Sequence, residues 1–126
     1  MKKLSDNELD IMLAIWRAEK SVGSSYVAKA MEDKNWAQTT VLNFLSRLVD
    51  KGYIKCEKEG RNNIYTPLVK EKDYLKDENK GFLEKFYNNS IKNMIAGFYD
   101  NEVIDDEDLK ELKEFIEKKT NIDNGK

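Results

Sequence analysis

The side chains best suited to recognition chemistry lie in the stretch WAQTTVLNFLSRLVDKG, residues 36–52. If this stretch is a helix, one side is apolar and the other is short and polar. The outer face then consists of Gln38, Thr39, Leu42, Asn43, Ser46 and Arg47. Short Thr, Asn, Ser and Gln side chains can approach base edges closely, and Leu42 can pack against a thymine methyl group. We interpret this face as a base-reading surface; the alternative is an ordinary solvated face with one stray leucine.

Three cations are candidate phosphate contacts: Arg47, Lys58 and Arg61. Phosphate contacts attract DNA through charge and carry no sequence information, and Asn62 and Asn63 can add neutral hydrogen bonds beside them. For any single one of these residues, exposure to solvent without a function is an equally good explanation. Their joint position on one helix and one hairpin favours the nucleic-acid interpretation.

The composition excludes several other kinds of site. The chain of 126 residues has no histidine and one cysteine, Cys56. It therefore lacks the commonest general base and the commonest transition-metal ligand, and it cannot form an internal disulfide or a multi-cysteine metal site. We expect no cofactor, no metal and no enzymatic activity, and we rank an enzyme last among the alternatives.

Charge divides the chain into two halves. Residues 1–70 hold 12 Lys+Arg and 9 Asp+Glu, a balance of +3, whereas residues 71–126 hold 10 and 15, a balance of −5. The mildly basic half suits a polyanion and the acidic half does not.

No apolar run approaches the roughly 18 residues of a membrane span, and MKKLSDNELDIM lacks the apolar stretch of a signal peptide, so we expect a cytoplasmic protein.

Capping signals and hydrophobic spacing predict the helices that position these residues. Ser5 with Glu8 reads as a capping box for a first helix over about residues 6–18. A second helix is predicted to begin with Ser24 or Ser25 as its cap and to run to about residue 33. The third helix is the stretch described above, which ends at Gly52 in a left-handed turn.

Period-two alternation after the third helix predicts a β-hairpin around the polar turn EGRNN, residues 59–63, closed by Pro67. Cys56 is predicted to be a small buried residue on the same strand face as Ile54. Three helices followed by a hairpin are the element order of a winged helix, in which the third helix enters the major groove. We therefore predict a mainly α fold with a small β-hairpin, comprising a winged helix-turn-helix domain at residues 1–70 and a helical region at 71–126.

Three further helices are predicted over residues 71–126, the last capped by Asp105, with a frayed tail NIDNGK. These helices carry more apolar side chains than such short elements bury alone. We expect them to pack against a second copy of the chain; packing against the winged helix is the alternative. The predicted dimerisation residues are Leu83, Phe86, Ile91, Met94, Ile95, Phe98, Leu109, Leu112 and Ile116.

Four stretches carry a family resemblance. LSDNELDIMLAIW, NWAQTTVLNFLSRLVDKGYI, EKEGRNNIYTPLV and IDDEDLKELKEFIEKK resemble the penicillinase-repressor (BlaI/MecI) family, in the same order and over nearly the whole chain. The resemblance implies a homodimeric transcriptional repressor of β-lactam resistance genes, bound to palindromic operator DNA through its winged helix. It also implies a membrane β-lactam sensor whose signal leads to cleavage of the repressor in the dimerisation region; the matching bond here is Gly97–Phe98.

The chain departs from the family pattern at three places. Ala37 and Gln38 stand where relatives usually have Ser-Pro, so the third helix lacks a good capping side chain. Thr39 and Leu42 stand where relatives tend to be basic, and Gly97 stands where Asn is common before the cleaved bond. Two alternatives therefore stay open: a repressor of the same family that serves other genes, and a winged-helix module that binds a protein instead of DNA.

Overall fold

The computed structural model describes residues 1–124, with side chains described through residue 121. Its elements in chain order are α1 (Asp6–Ala18), β1 (Val22–Gly23), α2 (Ser24–Ala30), a short 3-10 turn (Glu32–Lys34), α3 (Gln38–Asp50), β2 (Ile54–Glu59), β3 (Asn62–Pro67), α4 (Glu71–Tyr87), α5 (Ile91–Asp100) and α6 (Asp106–Asn124). A mainly helical chain with one small antiparallel sheet confirms the predicted fold class.

The chain forms two compact units, Met1–Lys76 and the residues from Asp77 onward. The boundary lies inside α4, C-terminal to the predicted division at residue 70. None of the described helices is both long enough and apolar enough to cross a membrane.

The first unit is organised around one apolar core that fixes α3 by its inner side. Ile11, Met12 and Ile15 of α1 are fully buried. Leu45 and Leu48 of α3 are fully buried as well, at the helical spacing that leaves the other side of α3 outside the core. This packing holds α3 in place while its outer face stays in solvent.

A partly buried ion pair ties the start of α1 to the end of α3. The predicted capping box is present, because the backbone N–H of Glu8 donates to Ser5 Oγ at 3.2 Å and that of Ser5 donates to Glu8 Oε1 at 2.8 Å. Lys51 Nζ donates to the same Glu8 oxygen at 2.6 Å. Burial by itself raises the pKa of Glu8, but hydrogen bonds from Lys51 and Ser5 outweigh it and hold the pKa below its ordinary value.

The second helix differs from its prediction at both ends. Its N-cap is Gly23, which has no side-chain capping bond, so the prediction of a serine cap is wrong. The helix ends at Ala30, and Glu32–Lys34 continue as the 3-10 turn. Gly23 has no side chain with which to cap the helix, and it also belongs to β1, whose Val22 and Gly23 pair with Tyr65 and Ile64 of β3. A two-residue strand is too short to leave a periodic signal in the sequence.

The hairpin is tighter than predicted. Glu59 pairs with Asn62, so only Gly60 and Arg61 form the turn and the predicted five-residue turn is wrong. Gly60 has φ +66, and a positive φ at the first central position is what a two-residue hairpin turn requires. The predicted burial of Cys56 is also wrong, since its side chain is exposed. The core covers the strand face only at its base, beside Ile54, and β2 then extends beyond it.

The second unit contains the end of α4 together with α5 and α6. Asp105 caps α6 as predicted: the Asp108 N–H donates to Asp105 Oδ1 and the Asp105 N–H donates to Asp108 Oδ2, both at 2.9 Å. The frayed tail was predicted for residues 121–126. Helix α6 extends through Asn124, and the rest of that prediction lies outside the described residues.

Candidate nucleic-acid interface

The outer face of α3 has the composition predicted for a reading surface, and all of it is exposed. The exposed side chains are Gln38, Thr39, Leu42, Asn43, Ser46 and Arg47. Leu42 is 37% exposed, although an apolar side chain that faces water does not stabilise the fold. Arg47 is the single cation among these six residues. The face therefore offers hydrogen-bonding groups and one apolar contact, with little charge.

The entry to α3 lacks a side-chain cap, as the sequence predicts. Ala37 is the N-cap residue, in extended conformation, and none of the described side chains forms a capping hydrogen bond with the first turn of the helix. Aromatic packing supports this end instead, because the Trp36 ring lies 5.0 Å from the Phe44 ring, centroid to centroid. The start of α3 is thus stabilised by ring packing and not by a capping hydrogen bond.

Strand register separates the charges of the hairpin. Lys58 pairs with Asn63 and Cys56 pairs with Tyr65, so these four residues share one face. Glu57 and Glu59 belong to the other face, where Glu57 lies 3.3 Å from Lys55. The acidic residues of the hairpin therefore point away from the face that carries Lys58.

An open groove joins this hairpin face to α3. It has a volume of about 390 Å³ and is lined by Leu42, Ser46, Val49, Cys56, Asn63 and Tyr65. The fold therefore places Asn63 beside two residues of the predicted reading face. Asn62, whose partner is Glu59, lies on the opposite face of the hairpin, and Arg61 is exposed in the turn.

The sequence analysis predicts that both Asn62 and Asn63 add neutral hydrogen bonds beside the phosphate contacts. The structure brings Lys58 and Asn63, not Asn62, to the side of α3. Knowing the turn length would have been sufficient to find this, because a two-residue turn at Gly60 and Arg61 fixes which residues alternate to each face. The polar composition of EGRNN concealed that length.

The floor of the groove contains a tyrosine that stays protonated. Tyr65 is 5% exposed. Burial raises the pKa of its hydroxyl, and the neighbouring Cys56 side chain raises it further. The groove thus presents neutral hydrogen-bonding groups, and within the described residues no cluster of His, Cys, Asp and Glu could hold a metal ion.

The predicted dimerisation residues all belong to the second unit, and none of them is fully buried there. Phe86, Ile91 and Ile116 are exposed, at 61%, 59% and 51%. The other six are half-buried: Leu83, Met94, Ile95, Phe98, Leu109 and Leu112. Gly97 and Phe98, the predicted cleavage site, lie inside α5 and are half-buried.

The family model of the penicillinase repressor matches residues 4–118. The penicillinase repressor of Bacillus licheniformis is 34% identical over 125 residues, covering 96% of this chain and 97% of that protein. The methicillin resistance regulatory protein MecI of Staphylococcus aureus strain N315 is 25% identical over 117 residues, covering 93% of this chain and 95% of that protein.

Two solved structures are similar to part of the chain. The DNA-binding domain of the repressor BlaI is 38% identical with a TM-score of 0.51, covering 59% of this chain and 94% of that one. Monomeric BlaI of Bacillus licheniformis in complex with the blaP half-operator is 35% identical with a TM-score of 0.50, covering 58% of this chain and 89% of that one.

Proposed function

Because the chain belongs to the penicillinase-repressor family, whose members are DNA-binding transcriptional repressors and not enzymes, we propose that it represses β-lactam resistance genes as a homodimer on a palindromic operator. The observation that carries the proposal is the exposed polar face of α3, with Leu42 at its centre, in a fold similar to that of BlaI bound to a half-operator. The proposed place of action is the cytoplasm, where this DNA is found.

In the proposed complex α3 enters the major groove and the hairpin lies along the phosphate backbone. Gln38, Asn43 and Ser46 supply hydrogen bonds to base edges, and Leu42 supplies an apolar contact to a thymine methyl group. Arg47, Lys58 and Arg61 supply the charge that attracts phosphate. The acidic residues Glu57 and Glu59 do not oppose this approach, because they occupy the other face of the hairpin.

Selection of duplexes from a random-sequence library tests this reading mechanism. We expect recovery of an inverted repeat whose half-sites are separated by whole helical turns, because a twofold dimer presents two reading helices. Leu42→Ala should relax the preference at one thymine position and leave binding to scrambled DNA nearly unchanged. Equal loss on all sequences would assign Leu42 to packing, and recovery of no common sequence would refute the proposed function.

Dimerisation is supported by the apolar side chains that the second unit leaves uncovered. From Asp77 to Asn121 none of the described side chains is fully buried, and Phe86, Ile91, Phe115 and Ile116 are more than half exposed. Exposed apolar area of this kind is typical of a surface that another chain covers. A second copy of the same helices supplies a self-complementary partner.

Sedimentation velocity with two lysine substitutions on α6 tests the dimer. Ile116→Lys places a charge in the apolar stripe and should shift the protein to a monomer. Glu114→Lys introduces the same side chain about 200° around the helix and should leave the dimer intact. A wild-type chain that is monomeric at high concentration, or equal effects of both substitutions, would contradict this part of the proposal.

Release of the operator is proposed to follow cleavage of the Gly97–Phe98 bond after a membrane sensor detects a β-lactam. The bond lies within α5, so cleavage separates α6 from the rest of the chain. The α6 stripe would then no longer hold two winged helices together, and paired half-site binding would be lost. Mass spectrometry of the repressor after β-lactam induction should show a fragment that begins at Phe98; an intact chain or a different new terminus would contradict the assignment.

A repressor of the same family that serves other genes is the second candidate. Thr39 and Leu42, which replace the basic residues expected at these positions, favour it because they alter the reading face itself. The genes that flank the selected inverted repeat in the genome decide between the two. If the winged helix binds a protein partner instead, the selection would recover no common DNA sequence. The chain would then show no salt-dependent binding to DNA.

A further inference from the structure

Four side chains form a continuous stack that leads to the only cation on the reading face. The Lys34 ammonium lies 5.6 Å from the centre of the Trp36 ring. The Trp36 ring packs against Phe44 at 5.0 Å, and the Arg47 guanidinium carbon lies 5.3 Å from the centre of the Phe44 ring. Both cation–ring distances are within the roughly 6 Å at which the ring face attracts a positive charge.

The far end of the stack is anchored to α1. Lys34 Nζ donates to Asp10 Oδ2 at 2.6 Å. This bond raises the pKa of Lys34, so its ammonium group stays charged over the Trp36 ring. Trp36 and Phe44 are both half-buried and pack against the core. The stack is therefore fixed on its inner side, and its outer end is Arg47.

Arg47 lies against the Phe44 ring and, among the described side chains, forms no ion pair with a group of opposite charge. None of the ion pairs among the residues with described side chains includes Arg47. Phe44 precedes it by three positions on α3, and helical side chains lean toward the N-terminus, so the guanidinium lies back over the ring. Stacking uses the face of the guanidinium plane and leaves its N–H edge open to an acceptor such as phosphate.

We infer that Phe44 is a positioning residue that holds Arg47 in the orientation in which it contacts DNA phosphate. This inference rests on the proposed function. A free arginine side chain loses rotamer freedom when it binds, and an arginine that is already ordered loses less. The chain has little other charge on α3, so the orientation of this one cation governs how strongly α3 is attracted to the backbone.

A double-mutant cycle on the labelled inverted-repeat duplex tests the inference. Phe44→Leu keeps an apolar side chain and removes the ring, and it should weaken binding by about two- to fivefold. In an Arg47→Gln background the same change should have less than about a twofold effect, because the group it positions is gone. In a Lys58→Gln background it should keep its full effect, because Lys58 lies on the hairpin. Phe44→Tyr retains the ring and should bind like the wild type.

Each contrary outcome has a distinct meaning. Equal loss from Phe44→Leu in all three backgrounds overturns the positioning role and leaves the proposed function standing. Weak binding by Phe44→Tyr, with its fold intact by circular dichroism, overturns that role as well. An Arg47→Gln variant that binds as tightly as the wild type overturns both the inference and the proposed phosphate contact of Arg47.

Discussion

The ring of Tyr87 lies so close to Gly97 that a Cβ at position 97 would displace the ring by a few tenths of an ångström. A Cβ at this position would stand 3.1 Å from Tyr87 Cε1 and 3.3 Å from its hydroxyl oxygen. The ring is held there by Phe82 at 5.7 Å and by Phe98 at 6.0 Å, centroid to centroid. The glycine beside the proposed cleavage site therefore has a packing role: it lets the end of α4 approach α5.

Gly97→Ala should destabilise the second unit, whereas Gly81→Ala should stabilise it. Alanine in a helix gains about 0.5–1 kcal/mol over glycine, and Gly81 in α4 has no atom within 4 Å of the added Cβ. At Gly97 the clash with a confined ring should exceed that gain, since overpacking typically costs about 1–3 kcal/mol. Thermal unfolding of both variants measures the difference. A Gly97→Ala variant as stable as Gly81→Ala would show that the Tyr87 ring moves freely.

Ala37→Ser should stabilise the first unit by supplying the side-chain cap that α3 lacks. Ala37 already has the extended conformation of an N-cap, with φ −62 and ψ 153, so a serine hydroxyl can accept from the first turn without rearrangement. The expected gain is about 0.5–2 kcal/mol in urea unfolding. Ser90→Ala is the reverse control, because Ser90 Oγ accepts from the Asn93 N–H at 3.1 Å and its loss removes a cap from α5. No gain in stability from Ala37→Ser would mean that the aromatic packing of Trp36 already stabilises the start of α3.

Residues 36–52 show how much of the site could be predicted from the sequence. Helical spacing was sufficient to separate the buried side of α3 from the face with Leu42 and Asn43, and Gly52 has the left-handed φ of +83 that its position predicts. The two faces of the hairpin were harder to predict from the sequence. Which of Asn62 and Asn63 faces α3 depends on the turn, which is three residues shorter than the polar run 59–63 suggests. A register shift of one residue exchanges the two faces. The Phe44–Arg47 contact follows from their spacing of three residues on α3, but the packing of Trp36 against the Phe44 ring lies outside that helix pattern.

The Glu8–Lys51 pair should make stability depend on pH in the acidic range. The pKa of Glu8 is lowered in the folded state, so its contribution to stability is fully present above the unfolded-state pKa and is lost as pH falls through the folded-state pKa. Lys51→Met leaves a buried carboxylate without its cation and should cost about 2–3 kcal/mol at neutral pH. The difference from the wild type should shrink at acidic pH, as the pH falls far enough for Glu8 to become protonated.

Urea unfolding at several pH values measures this dependence. Lys55→Met is the matched control, because Lys55 pairs with Glu57 at 3.3 Å on the surface, where both side chains are about half exposed or more. That variant should differ little from the wild type at any pH. A Lys51→Met loss that stays constant from neutral to acidic pH would place the effect in packing of the lysine stem.

Asn63→Ala should weaken DNA binding, and Asn62→Ala should not. The two residues are adjacent and chemically identical, but Asn63 lines the groove beside Leu42 and Ser46 whereas Asn62 lies on the face with Glu59. Loss of one hydrogen bond to DNA should lower the affinity by about two- to tenfold. Anisotropy titrations of both variants on the selected duplex provide the comparison. Equal effects, or a larger effect of Asn62→Ala, would mean that the hairpin approaches DNA by its other face.

The central claim, sequence-specific DNA binding, is tested most directly by fluorescence anisotropy at two salt concentrations. The wild-type chain is titrated into a labelled inverted-repeat duplex from upstream of its own gene and into a scrambled duplex. We expect the repeat to bind at least about a thousandfold more tightly than the scramble and to lose affinity steeply as salt rises, because Arg47, Lys58 and Arg61 displace counterions from phosphate. Weak binding to both duplexes, equal in strength and insensitive to salt, would contradict the claim.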